Sequence, residues 1–130
     1  MKKVVITIGV LLLIILALSQ RGQSKPLSLE TKENNEGPVA IKVTPKDLSN
    51  FEIVLDTHSE ELTADLVANS ELVTDQGKSY KPVSWEGTPP GGHHRSGVLK
   101  FNSISPKPKS LELRIKDIGG VLERSFKWTF

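Results

Sequence analysis

Three histidines, at positions 58, 93 and 94, carry the imidazole nitrogens that could do chemistry here. His58 stands in Asp56-Thr57-His58-Ser59. His93 and His94 close the loop Pro89-Pro90-Gly91-Gly92 and are followed by Arg95-Ser96-Gly97. Imidazole is neutral and able to ligate at pH 7, and imidazole with carboxylate but no thiolate suits zinc, copper(II) or nickel. The candidate ligands are His58, His93 and His94, with Asp65 or Glu86 completing the shell. Arg95 would orient a carboxylate behind them, with Asp56 and Trp85 close by. Adjacent histidines on extended backbone point to opposite faces, so His93 and His94 reach one ion only where the glycines bend the chain. The same residues allow a plainer arrangement. Arg95 then pairs with Asp56 or Glu86, a histidine bonds loop backbone, and the glycines supply positive φ. In that case the His-His-Arg loop is structural, and the Pro-Pro-Gly-Gly loop or an edge strand is free to bind an envelope protein partner.

Other chemistries are poorly served. Ser59 and Ser96 lie near histidines, but there is no Gly-x-Ser-x-Gly elbow, so the chain is not expected to be an enzyme. Pro-Pro-Gly-Gly lacks the Lys-Ser/Thr ending of a phosphate loop. With no cysteine in 130 residues, disulfides, thiolate metal sites, thioether haem and a cysteine nucleophile are all excluded. The one methionine is the initiator, which removes a methionine-rich copper(I) site.

Strands must position the histidines. From Pro38 the sequence runs with period two: Val39, Ile41 and Val43 alternate with Ala40, Lys42 and Thr44. Phe51 to Thr57 gives a second strand and Leu72 to Thr74 a third, ending at Asp75-Gln76-Gly77. Tyr80 to Trp85 reads as a fourth and Val98 to Phe101 as a fifth. Leu111, Leu113 and Ile115 mark a sixth. Gly119-Gly120 is a hairpin turn before a last strand through Leu122, Phe126, Trp128 and Phe130. Arg124 falls on the apolar side of that strand, which predicts a bulge or an edge there. Thr57-x-x-Glu60 resembles a capping box, so a helical turn is expected within 57–64. Trp85 and Trp128 read as core anchors.

About seven short strands over residues 38–130 predict an all-β fold, an immunoglobulin-like antiparallel β-sandwich. In such a sheet the second and fifth strands are antiparallel neighbours. That brings His58 to the His93-His94 pair at one end of the sandwich, with Glu86 at the end of the fourth strand and Asp65 on the loop after His58.

The N-terminus addresses the chain. Lys2 and Lys3 precede 15 uncharged residues, Val4 to Leu18. As a helix these span roughly 22 Å, short of the roughly 30 Å hydrocarbon core. Residues 1–19 therefore read as a signal peptide or a membrane anchor. Ala17-Leu18-Ser19 suits cleavage after Ser19, and Arg21 argues for an uncleaved anchor. Either way the remainder is extracytoplasmic, membrane-anchored or secreted. Residues 20–37 read as a flexible linker, with Leu27 and Leu29 as a weak edge strand at most. Beyond Ser19 the chain has 15 acidic and 15 basic residues, so neither nucleic acid nor anionic lipid is an expected partner of the domain.

The succession Thr57-His58-Ser59, Asp65-Leu66, Trp85-Glu86-Gly87 and Gly91-Gly92-His93-His94-Arg95-Ser96-Gly97-Val98-Leu99 with Phe101 resembles a family of small exported prokaryotic domains of no established activity. The likeness spans residues 39 to 130, and His-His-Arg is its specific part. It implies that the three histidines, Asp65 and Trp85 belong to one pattern.

Overall fold

A computed structural model describes residues 29–130. The expected signal or anchor at 1–19 lies outside the described residues, as does the first half of the 20–37 segment. Among the described residues the fold is built from two antiparallel sheets on one shared core. The strands are β1 (Lys32–Asn34), β2 (Val39–Pro45), β3 (Asn50–Thr57), β4 (Ser70–Thr74), β5 (Ser79–Tyr80), β6 (Ser84–Gly87), β7 (His94–Lys100), β8 (Ser110–Ile118) and β9 (Val121–Thr129). One turn of helix, α1 (Leu66–Asn69), precedes β4. The first sheet has the order β1-β2-β3-β7-β6 and the second β5-β4-β8-β9.

Alternation sets the layers. Val39, Ile41 and Val43 of β2 and Phe51, Ile53 and Leu55 of β3 point inward, and from the other sheet Leu111, Leu113 and Ile115 of β8 and Phe126 and Trp128 of β9 meet them. The Phe51 and Trp128 rings, one from each sheet, lie 5.7 Å apart. The β8–β9 hairpin closes on Gly119 (φ 61°) and Gly120 (φ 75°), the left-handed pair that a tight two-residue turn between twisted strands requires.

The structure departs from the sequence reading in five places. β7 starts at His94 rather than Val98, which takes His94 and Arg95 out of the loop. The expected fourth strand is two strands in different sheets: β5 pairs with β4, and β6 pairs with β7. Lys81-Pro82-Val83 carries the chain across, and Pro82 has no N–H to give to a ladder. The last part of the expected linker is not a linker. β1 pairs with β2, and Glu30 O accepts a 2.7 Å bond from Trp128 Nε1. The helical turn sits later than the capping-box spacing suggests. Thr57 Oγ1 does accept from Ser59 N and Glu60 N, but the chain runs on without helix until Asp65.

The fifth departure is Arg124. No residue is inserted opposite it, because the β8–β9 register is constant from Ser110↔Thr129 to Ile118↔Val121. Arg124 instead stays on the inner face, 1% exposed, and its guanidinium crosses to the other sheet. Nη1 donates to Val39 O (2.6 Å), Asn34 O (3.3 Å) and Asn34 Oδ1 (3.2 Å), and Nη2 donates to Ile118 O (3.1 Å). Nε has no partner among the described residues. Burial lowers the Arg124 pKa, and Glu36 partly offsets this.

The outer face of the second sheet carries a charge network. Arg114 Nε donates to Glu112 Oε1 at 3.0 Å, and Arg114 and Lys116 both lie within 4 Å of Glu71. Bonds from Arg114 and then Ser125 hold the Glu112 carboxyl below its usual range. Burial works against Glu71, yet Lys116, Ser79 and Arg114 hold it low as well. A carboxyl with a depressed folded pKa contributes stability that is present above its unfolded pKa. That stability is lost as pH falls through the folded value. The urea midpoint of the full chain is therefore expected to fall as pH drops below about 4.5, with a shallower fall in Arg114→Met. Equal pH profiles for the two proteins would show that this network contributes nothing.

Candidate functional site

The rim at one end of the two sheets gathers the ends of β3 and β6, the start of β7 and the loops that follow β3 and β6. β3 and β7 are antiparallel neighbours, and Asp56 lies opposite His94. Those two side chains face outward from the sheet and touch: His94 Nδ1 hydrogen-bonds Asp56 Oδ1. Both are more than half exposed. His58 is exposed just past β3 and lines a shallow groove with Asn35, Pro38, Ala40 and Asp56. The exposed His93 contributes its backbone, its carbonyl accepting from Thr57 N at 3.0 Å.

Two of the expected carboxylates do other work. Asp65 Oδ1 accepts from Val67 N (3.0 Å) and Ala68 N (3.2 Å) and so caps α1. Glu86 faces Val98 and pairs with Lys100 Nζ at 2.9 Å. It sits four positions along β7 from the residue opposite Asp56, roughly 13 Å away. Among the described residues no three His, Asp or Glu side chains are grouped to hold a metal ion. Neither Ser59 nor Ser96 hydrogen-bonds a histidine among the described residues.

Arg95 is the residue whose role the sequence reading missed. It does not orient a carboxylate or pair with Asp56 or Glu86. It points inward, 1% exposed, and its Nη1 donates to Ala64 O (2.7 Å) and Leu62 O (3.3 Å), with Nε 3.4 Å from Thr88 O. Burial lowers its pKa, and Asp65 pulls it back up. The guanidinium lies 5.6 Å from the centre of the half-buried Trp85 ring, within cation–π range. Trp85 is fixed in turn by its Nε1 bond to Thr88 O at 2.8 Å. The indole lies over Gly97, where a Cβ would stand 2.8 Å from it and 2.6 Å from Glu86 O. Only glycine leaves that space. The signal was legible in register: Arg95 shares the inward face with Gly97 and Leu99, where a charge must be satisfied by the fold.

The two loops are also laced together by backbone. Leu62 N donates to Gly92 O (2.9 Å), Gly91 N to Leu62 O (2.8 Å), and Gly92 N to Glu61 Oε1 (2.7 Å). Gly91 (φ 124°) and Gly92 (φ 73°) adopt the conformation this requires. The 58–65 and 88–93 loops thus form one braced platform. It carries His58, His93, His94, Glu60, Pro89 and Pro90 exposed on its surface.

Comparison with protein-family models, with curated proteins and with solved structures gives no match. The functional reading rests on the residues described above.

Proposed function

We propose that this chain is an extracytoplasmic immunoglobulin-like module, anchored by or released from its N-terminal segment, that binds an envelope protein through its histidine-bearing loop rim without catalysis. The immunoglobulin-like assignment is supported by strand order. β2-β3-β7-β6 facing β5-β4-β8-β9 has the connectivity of a four-stranded sheet over a sheet of three strands plus one, with β1 added at the edge. The binding assignment is carried by one observation: Arg95 is buried and bonded to carbonyls of both loops. A loop pair braced in this way loses little conformational freedom when a partner docks. The exposed groups on it, prolines, imidazoles and a carboxylate, make a polar recognition surface with rigid elements.

The test is a photo-crosslinking amino acid at His93 in the full chain, in its native membrane. A control carries the same group at Gln76, in the β4–β5 turn at the opposite end. A discrete adduct from position 93 that is missing from position 76, and lost when Arg95→Met loosens the rim, supports the reading. Equal adducts from both positions, or none from position 93, overturn it.

A second reading, a site for zinc, copper(II) or nickel, is favoured by the His94–Asp56 contact. A carboxylate on Nδ1 leaves Nε2 as the ligating nitrogen, the usual arrangement behind a metal-bound imidazole. His58, beside Asp56 in the groove, is the nearest candidate for a second ligand. Calorimetric titration of each ion into the full chain separates the two readings. One-to-one micromolar binding lost in both His58→Ala and His94→Ala supports a metal site, and its absence removes it.

A further inference from the structure

We infer that the chain pairs with a second copy of itself along β9, independently of what the loop rim binds. β9 is an edge of the second sheet: among the described residues its ladder runs with β8 alone. At nine residues it is also as long as any strand in the fold. Long edges of this kind are normally blunted by a bulge, a proline, exposed charges or a charge turned inward. β9 has no proline and no inserted residue; its inward Arg124 is bonded inside the fold, and its exposed Glu123 and Lys127 are of opposite sign.

Its charges fit a two-fold partner. Ser125 is the central residue of Val121–Thr129. An antiparallel pair centred on Ser125 uses the whole strand and sets each residue opposite the one equally far from the centre. Glu123 of each copy then faces Lys127 of the other, twice per dimer, on the solvent face of the joined sheets. The other face gains as well. Leu122 is 80% exposed, the most exposed large apolar side chain in the described structure, and this register sets it beside Trp128 of the second copy. Phe130, 36% exposed, falls near the same junction. One symmetric operation thus sets two opposite-charge pairs across the seam, beside the 4.0 Å contact Glu123 already makes with Arg114 of its own copy, and brings Leu122 and Phe130 to the junction. The partner this strand fits is itself.

The natural absence of cysteine gives a direct test. Ser125→Cys places a single thiol on the two-fold axis, where facing Cα atoms are about 5 Å apart and within disulfide reach. Mild oxidation of the full-length variant in detergent is expected to give a disulfide-linked dimer. Gln76→Cys, in the β4–β5 turn two strands away from β9 and off the proposed axis, reports random collision in the micelle. On the Ser125→Cys background, Glu123→Lys is expected to slow cross-linking about tenfold by setting like charges opposite each other. Adding Lys127→Glu should restore it, because the exchanged charges are complementary again. Cross-linking of Ser125→Cys no faster than Gln76→Cys, in protein whose circular dichroism shows it folded, overturns the proposal. So does a Glu123→Lys effect that Lys127→Glu fails to reverse.

Discussion

Replacing Arg124 by methionine is expected to cost about 4 kcal/mol of stability. The side chain has similar length and an apolar stem, so little volume is lost. What disappears is the set of donors to Val39 O, Asn34 O and Ile118 O, which belong to three different strands. The two carbonyls bonded inside the core, those of Val39 and Ile118, are then buried with no donor in the guanidinium's place. The melting temperature should fall by about 20 °C. Arg124→Lys should recover little, because one ammonium cannot reach a fork of carbonyls on several strands. A loss below about 1 kcal/mol in Arg124→Met would mean that the fork adds nothing beyond its own desolvation cost.

Arg95→Met is the second, at about 3 kcal/mol. Its expected signature is local as well as global. Without the guanidinium the Ala64 carbonyl loses its side-chain donor, Leu62 O keeps only its bond from Gly91 N, and Trp85 loses the cation on its ring. Amide exchange should accelerate at Leu62, Gly91 and Gly92, whose bonds lace the loops, before it does in β2 or β8. A change in Trp85 fluorescence should accompany it. Uniform acceleration across both sheets would show that Arg95 supports the fold generally rather than the rim.

The two arginines also show what was readable in the sequence. Strands whose apolar residues alternate without interruption, such as β2, β3 and β8, announced both their span and their inward face. An arginine on an inward face looks like an error in that pattern. At Arg124 it suggests a bulge or an edge; Arg95, read as part of the loop before a strand starting at Val98, suggests only a partner for a carboxylate. Both instead bond backbone carbonyls from distant parts of the chain, and nothing in the local sequence specifies carbonyl positions. The split of Tyr80–Trp85 had a local signal, since Pro82 has no N–H to give to a ladder, but which sheet each half joins is a matter of strand order. The rim was more legible because antiparallel adjacency of β3 and β7 is a matter of strand order alone. That order sets Asp56 opposite His94. It does not reveal that Asp65 caps a helix or that Glu86 is carried away along β6.

The bond from Trp128 Nε1 to Glu30 O spans 98 positions of sequence, and those of Arg124 to Asn34 span 90. They have a kinetic meaning. A chain that emerges from its N-terminus has β1 and β2 complete long before the groups that close over them exist. Ring closure over such lengths comes late in folding and is slow. Until Trp128 has emerged from the ribosome, the nascent domain lacks its final latch and stays pliable. Docking of the β8–β9 hairpin over β1 and β2 is therefore the step that completes the core.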